Sequence, residues 1–181
     1  MKYSLKVESK YDDIKEGVII IDRDTDIYER IDSGAMHNFY KIKNGAKLSL
    51  HTMIEARNSK HIDTDRVIDI YHQAELCDDG CQVYIDCRGV IDGKNKIIYR
   101  SDIKVNGNYK NLYGEENLKF INLSKDAEID AIPALSIKEN NLNAVHTLQI
   151  IRLDEKKLFY MLSHGLTIDE AREVYVDGFI K

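Results

Sequence analysis

Apolar and polar residues alternate along most of this chain in short runs cut by Gly, Asn and Asp, which is a pattern of strands. Ser4, Lys6 and Glu8 alternate with Leu5 and Val7, enough for one short strand near the start. Gly17 to Ile21 is a β-branched run that predicts a buried strand. Arg23 to Ser33 is charged and predicts irregular structure. Met36 to Ile42 and Ala46 to Ile54 predict a strand pair across Lys43-Asn44-Gly45, because Asn-Gly favours a tight turn. Arg57 to Asp65 is polar and predicts a loop.

Further strands are predicted at Val67 to His72, Cys81 to Ile91, Lys96 to Val105, Leu112 to Leu123, Ala127 to Ile137 and Asn143 to Arg152. They are separated by Asp78-Asp79-Gly80, Asp92-Gly93, Asn106-Gly107-Asn108, Ser124-Lys125-Asp126 and Asn140-Asn141. Turn signals recur roughly every fifteen residues, a rhythm shared by all-β barrels, sandwiches and solenoids, and periodicity does not choose among them.

The pattern changes to helical spacing after Leu153. Asp154 is placed to cap a first helix, with Leu158, Phe159, Met161 and Leu162 on its apolar face. Gly165 supplies a left-handed stop, with Leu166 packing back on Met161. Thr167 and Glu170 form a capping box for a second helix, whose stripe is Ile168, Ala171, Val174 and Tyr175. Gly178 is expected to end it, with Phe179 folding back on Val174. Two such short helices cannot bury both stripes on each other, so they dock on the body, a partner or both. The chain thus divides into a β body, residues 1–152, and a helical partner-docking tail, residues 153–181.

Composition narrows the function. At 181 residues the chain is long enough for one domain with a substantial core. A net charge of −5 argues against non-specific nucleic-acid binding, which needs a basic face. No apolar run is long enough for a membrane span, and residues 1–13 lack a signal-peptide core, so a cytosolic location with reduced cysteines is expected.

Few residues suggest chemistry. Cys77, Cys81 and Cys87 do not have a usual zinc or iron–sulfur spacing. Cys81 and Cys87 share one strand face with Val83 and Ile85, so they are either small core hydrophobes or thiolate ligands. His37 and His51, with Glu55, resemble the metal-binding strands of cupin barrels, but the interleaved His-x-His pattern is missing. His164 sits at a helix stop, and His146 lies within a strand. No phosphate loop, nucleophile elbow or tight carboxylate pair occurs, so the residues alone do not indicate an enzyme.

The C-terminal elements occur in a specific order: Pro133-Ala134-Leu135-Ser136-Ile137, His146, Leu153-Asp154-Glu155, Leu158-Phe159-Tyr160, Ser163-His164-Gly165-Leu166, Glu170-Ala171 and Gly178-Phe179. This series resembles the end of the SufB/SufD family of iron–sulfur cluster assembly scaffold proteins. Arg88-Gly89-Val90-Ile91 and the stretch from Asn117 to Ile129 resemble that family's repeated strands.

The resemblance implies a right-handed parallel β-helix with a C-terminal helical pair. It implies a scaffold that is not itself an enzyme. Pairing would run through the β-helix, with a second copy or a SufB/SufD homologue. A SufC-like ABC ATPase would bind the tail, with Leu158, Phe159, Tyr160, Leu162, Ile168 and Val174 as the expected contact set. A transient iron–sulfur cluster is the implied cargo. His146 occupies the place of the interface histidine implicated in holding it, and Cys87 is a second candidate ligand. Thr147 and Leu118 stand where SufB carries a functional glutamate and its sulfur-accepting cysteine, so the chain is SufD-like or divergent. Family members are commonly longer, which implies a reduced solenoid here and a tail that ends where relatives add a further helix. The alternative is a cupin-like or β-helix metal-binding protein or enzyme.

Overall fold

A computed structural model describes residues 3–8, 15–57, 65–138 and 142–180. Its elements are β1 (Tyr3–Glu8), β2 (Lys15–Ile21), β3 (Thr25–Ile31), β4 (Gly34–Ile42), β5 (Lys47–Ala56), β6 (Val67–Leu76), β7 (Gln82–Ile91), β8 (Lys96–Val105), β9 (Leu112–Asn122), β10 (Glu128–Ile137), β11 (Leu142–Arg152), α1 (Glu155–Ser163) and α2 (Ile168–Ile180). Odd-numbered strands form one sheet and even-numbered strands the other, each in chain order. Every pairing is parallel. The chain therefore winds as a β-solenoid, alternating between two facing sheets.

The pitch of the winding is visible in the polar contacts. Hydrogen bonds from Asn106 to Glu75, Lys110 to Asp79, Asn117 to Asp86 and Ser124 to Gly93 each span 31 residues. One turn thus contains two strands and two corners, which is why turn signals recur at half that spacing. At the corner after β4, Asn44 and Gly45 both have positive φ, 57° and 67°. Glycine adopts that conformation without a Cβ clash, and asparagine tolerates it.

Three strand expectations need correction. The β4–β5 pair across Lys43-Asn44-Gly45 does not form, because that corner carries the chain from one sheet to the other. The run Gly17 to Ile21 is a strand but not a buried one: Val18 is 61% exposed and Ile20 also faces out, because β2 is an edge strand paired only with β4. The segment from Arg23 to Ser33 contains β3, whose inward positions Ile27, Glu29 and Ile31 are all buried. A carboxylate at a core position broke the apolar signal there. Most of the loop predicted after Arg57 and the Asn140-Asn141 turn lie outside the described residues.

Parallel pairing in register gives the core its form. Side chains alternate across a strand, so paired residues share a face. Ile31, Ile54, Gly89, Phe120 and Ile150 make one inward row, and Glu29, Thr52, Cys87, Leu118 and Leu148 make another. Within the first row, a Cβ on Gly89 would lie 2.4 Å from Phe120 Cδ1, so the glycine is what admits the buried aromatic ring.

One polar group sits inside this apolar lumen. Glu29 accepts from the Tyr40 hydroxyl at 3.3 Å and from Thr52 at 3.2 Å, and its Oε2 lies 3.3 Å from His72 Nε2. His72 Nδ1 reaches the Tyr99 hydroxyl at 3.3 Å. Burial pushes the Glu29 carboxyl up, but the charge and hydrogen bond of His72, with the Thr52 and Tyr40 hydroxyls, outweigh it and leave the pKa below the usual range. A buried carboxylate needs such company, since desolvation without partners would be far more costly.

Two expectations follow from this core. Gly89→Ala should destabilise by about 1–3 kcal/mol through overpacking, read as a lower urea midpoint. Adding Phe120→Leu should recover part of that loss. For Glu29, a folded-state pKa below the unfolded value contributes stability that is present above pH ~4.5 and lost as pH falls through the folded pKa. Urea midpoints of the wild type should therefore drop more steeply below that pH than those of Glu29→Gln.

Candidate functional site: the open end and the tail helices

The solenoid ends on β10 and β11, which pair on one side only. Pro133 lies on β10, an edge strand where a missing N–H is tolerated. In the rungs before, inward side chains are covered by the next turn. Here they meet solvent: Ile137, Leu148 and Ile150 are exposed, Leu148 at 41%. His146 is exposed among them. It faces the lumen side of β11, because it pairs with Glu116, which pairs in turn with the buried Ile85.

Glu116 is the residue that the sequence reading missed. It is wholly buried, and neither carboxylate oxygen has a hydrogen-bond partner among the described residues. Burial pushes its pKa up to about 7, with Ser101 pulling the other way and the Asp102 charge adding to the rise. The available signal was an acid at an inward position of the alternation Leu112, Gly114, Glu116, Leu118, Phe120. Glu116 and His146 are thus register neighbours on one face, one buried and one at the mouth, and strands so paired stand about 4.8 Å apart.

Cys87 lies elsewhere. It is wholly buried on β7, in the inward row next to that of His146 and with β9 between the two strands. Burial, first, and Asp86 raise its thiol well above the ordinary value, so it stays protonated. Cys81 is also buried, and Cys77 is half-buried with its pKa raised by burial. Leu118, buried in the same row as Cys87, offers no donor. His37 and His51 stand on strands of different sheets, and Glu55 is held by Arg30 and Arg57. Among the described residues, no group of three or more His, Cys, Asp or Glu converges as a metal site.

The tail forms as its caps dictate. Asp154 accepts from the Lys156 amide at 2.9 Å. Gly165 has φ 91°, and the Leu166 amide bonds back to Met161 O. Thr167 and Glu170 form the capping box reciprocally, at 2.8 and 3.3 Å. The expected stop at Gly178 needs correction, because α2 runs through it to Ile180. A cation from the body closes that end: Arg88 on β7 donates to Phe179 O at 3.0 Å and Ile180 O at 3.3 Å, where the helix dipole favours positive charge. Arg57 adds an ion pair to Glu173 at 2.8 Å.

The seat of α2 is a single outward row. Val90, Ile121 and Ile151 are register partners on β7, β9 and β11, and Val176, Tyr175 and Phe179 pack on them. Phe179 therefore packs on the sheet, and Val174 stays exposed. No residue of α1 is buried: Phe159 is 73% and Tyr160 64% exposed, Leu162 is exposed, and Leu158 is half-buried. Ile168 of α2 is exposed too. Between the helices and the sheet runs an apolar groove of about 650 Å³, lined by Ile121, Ile151, Tyr160, Met161, Tyr175 and Phe179. Among the described residues, no helix is long and apolar enough to cross a membrane.

Comparison with known proteins matches this architecture. The family model for the SufBD core domain of SUF system FeS cluster assembly matches residues 35–179. An iron–sulfur cluster assembly SufBD family protein of Archaeoglobus fulgidus is 33% identical over 115 residues, 64% of this chain and 30% of that protein. The iron–sulfur cluster assembly protein SufD of Bacillus subtilis is 29% identical over 97 residues, 54% of this chain and 22% of that protein. A SufBD family protein of Galdieria sulphuraria is 26% identical over 94 residues, 52% of this chain and 42% of that protein. The chain thus spans less than half the length of these relatives. With the family match running from β4 to the end of α2, over a parallel solenoid and a capped helix pair, this chain belongs to the SufB/SufD family of iron–sulfur cluster assembly proteins.

Proposed function

We propose that the chain is a non-enzymatic scaffold component of iron–sulfur cluster assembly, working in the cytosol. In this reading it pairs through the open end of its solenoid and carries a SufC-like ABC ATPase on its tail. The observation that carries the reading is the uncovered α1 surface. A family member whose helix is well capped at both ends, yet leaves Phe159 and Tyr160 in solvent, holds an apolar face ready for a partner. The groove beside it extends that face onto the solenoid.

The donor set supports a SufD-like part in the chemistry. Iron–sulfur clusters are held mainly by thiolates. Neither buried cysteine is placed to supply one, and His146 and Glu116 offer nitrogen and oxygen donors instead. These fit an iron ion better than a complete cluster. The cluster cargo would then take its sulfur and thiolate ligands from the pairing partner, with His146 contributing an imidazole at the shared face.

The tail's role is checked by co-purification with a SufC-like ABC ATPase. Phe159→Ala with Tyr160→Ala should weaken binding at least about tenfold, or ~1.4 kcal/mol, and leave the urea midpoint unchanged. An ATPase that binds neither form sinks this half of the reading. The pairing role is checked by sedimentation: Leu148→Asp, which puts a charge on the exposed end, should shift the protein to monomer with its far-ultraviolet spectrum intact.

A further inference from the structure

The chain carries eight arginines. Six of them hold acceptors: Arg23 on Asp22, Arg30 and Arg57 on Glu55, Arg66 on the Asp32 and Arg57 carbonyls, Arg88 on the Phe179 and Ile180 carbonyls, and Arg100 on Asp69. The other two, Arg152 and Arg172, hold none among the described residues, and Arg172 Nε is shut off from solvent without an acceptor. Both line one cleft of about 670 Å³, and Lys125 lines it with them. In a chain of net charge −5, such a gathering of cations without acceptors stands out from the rest of the surface.

The cleft is built from four segments at the base of the tail: the corner after β9, the end of β11, the start of α1, and α2. Asn122 fixes that corner. Its side-chain amide donates to Ala127 O at 3.0 Å and its Oδ1 accepts from the Ser124 amide at 3.0 Å, so the loop that carries Lys125 is held in place. Glu155 is the one acid in the lining, so cations exceed acids by two. Leu153 and Leu158, both half-buried, supply an apolar wall. We infer that this cleft binds a small organic phosphate monoester, with the phosphate between Arg152, Arg172 and Lys125 and the organic part against the two leucines. A monoester carries a charge of about −1.5 to −2 at neutral pH, which the cation excess matches. Guanidinium forks suit phosphate oxygens, and a lysine adds a point charge. The volume falls within the range of small-molecule sites. Because α1 buries no residue of its own, a ligand bridging it to the corner, β11 and α2 would steady the tail. The inference stands apart from the pairing and the ATPase contact proposed above.

The test uses the full chain with phenyl phosphate as the probe, followed by calorimetry and by amide hydrogen exchange. One phenyl phosphate should bind per chain, at least about tenfold tighter than benzoate, which brings a single charge. It should also bind tighter than inorganic phosphate, which has nothing to lay on the leucines, and the binding should weaken as salt is raised. Exchange in α1 should slow when the probe binds. Arg152→Gln, at an exposed position, and Arg172→Gln should each lower the affinity about tenfold or more. Lys41→Gln on β4 removes the same charge from the other sheet and should leave the affinity as it is. No saturable binding at millimolar phenyl phosphate overturns the site, as do arginine variants that bind like the wild type. Benzoate or inorganic phosphate binding as tightly as phenyl phosphate overturns the monoester assignment. Exchange that slows elsewhere and not in α1 overturns the placement. Should Arg172→Gln fail to fold, Arg152→Gln still decides.

Discussion

Everything in this molecule depends on parallel strands stacking in register. A single turn of the solenoid has one inward apolar face and nothing of its own to cover it. Each turn is buried by the turns on either side, so Ile54 and Phe120 are wholly dry only because their rows continue past them. Such an array is stabilised rung by rung, and its ends are its weak points. The same constraint that builds the core also produces the apolar, single-sided surface at β10 and β11.

The lumen's polar residues make sense within that frame. Glu29 sits among donors from three strands, β4, β5 and β6, and is held as an anion. Tyr99, farther in, joins His72 and lies next to Cys87. That arrangement fixes how neighbouring turns align, because a slip of one residue would turn the whole set outward. Glu116 breaks the rule that the interior satisfies its own polar groups, and it does so one turn from the mouth.

Much of this was legible in the sequence, and the reasons are specific. From Cys81 onward the strands match their predicted bounds closely, because alternation and turn residues agree there, whereas β6 runs four residues past its expected end at His72. The caps at Asp154, Gly165 and Thr167 formed as read, since capping is local chemistry. The long-range partner of each strand was not legible. Asn44-Gly45 marks a turn of the backbone equally well at a hairpin or at a solenoid corner, and only the ordered C-terminal series that resembles the SufB/SufD family pointed to the latter. Glu29 hid β3, and Gly178 was mistaken for a stop because Arg88, ninety-one residues away from Phe179, holds that end of the helix. Contacts across the fold decided these cases.

The seat of α2 on Val90, Ile121 and Ile151 has a mechanical consequence. The helix lies across three consecutive rungs like a splint on a stack of planks, with Arg88 on β7 and Arg57 just past β5 tying it to the body. A torque applied to the tail is therefore shared between the last rung and the two beneath it. Those are the rungs that carry His146, Glu116 and Cys87 on their opposite face, so a lever on the outside of the sheet is coupled, through one strand's thickness, to the lumen at its open end.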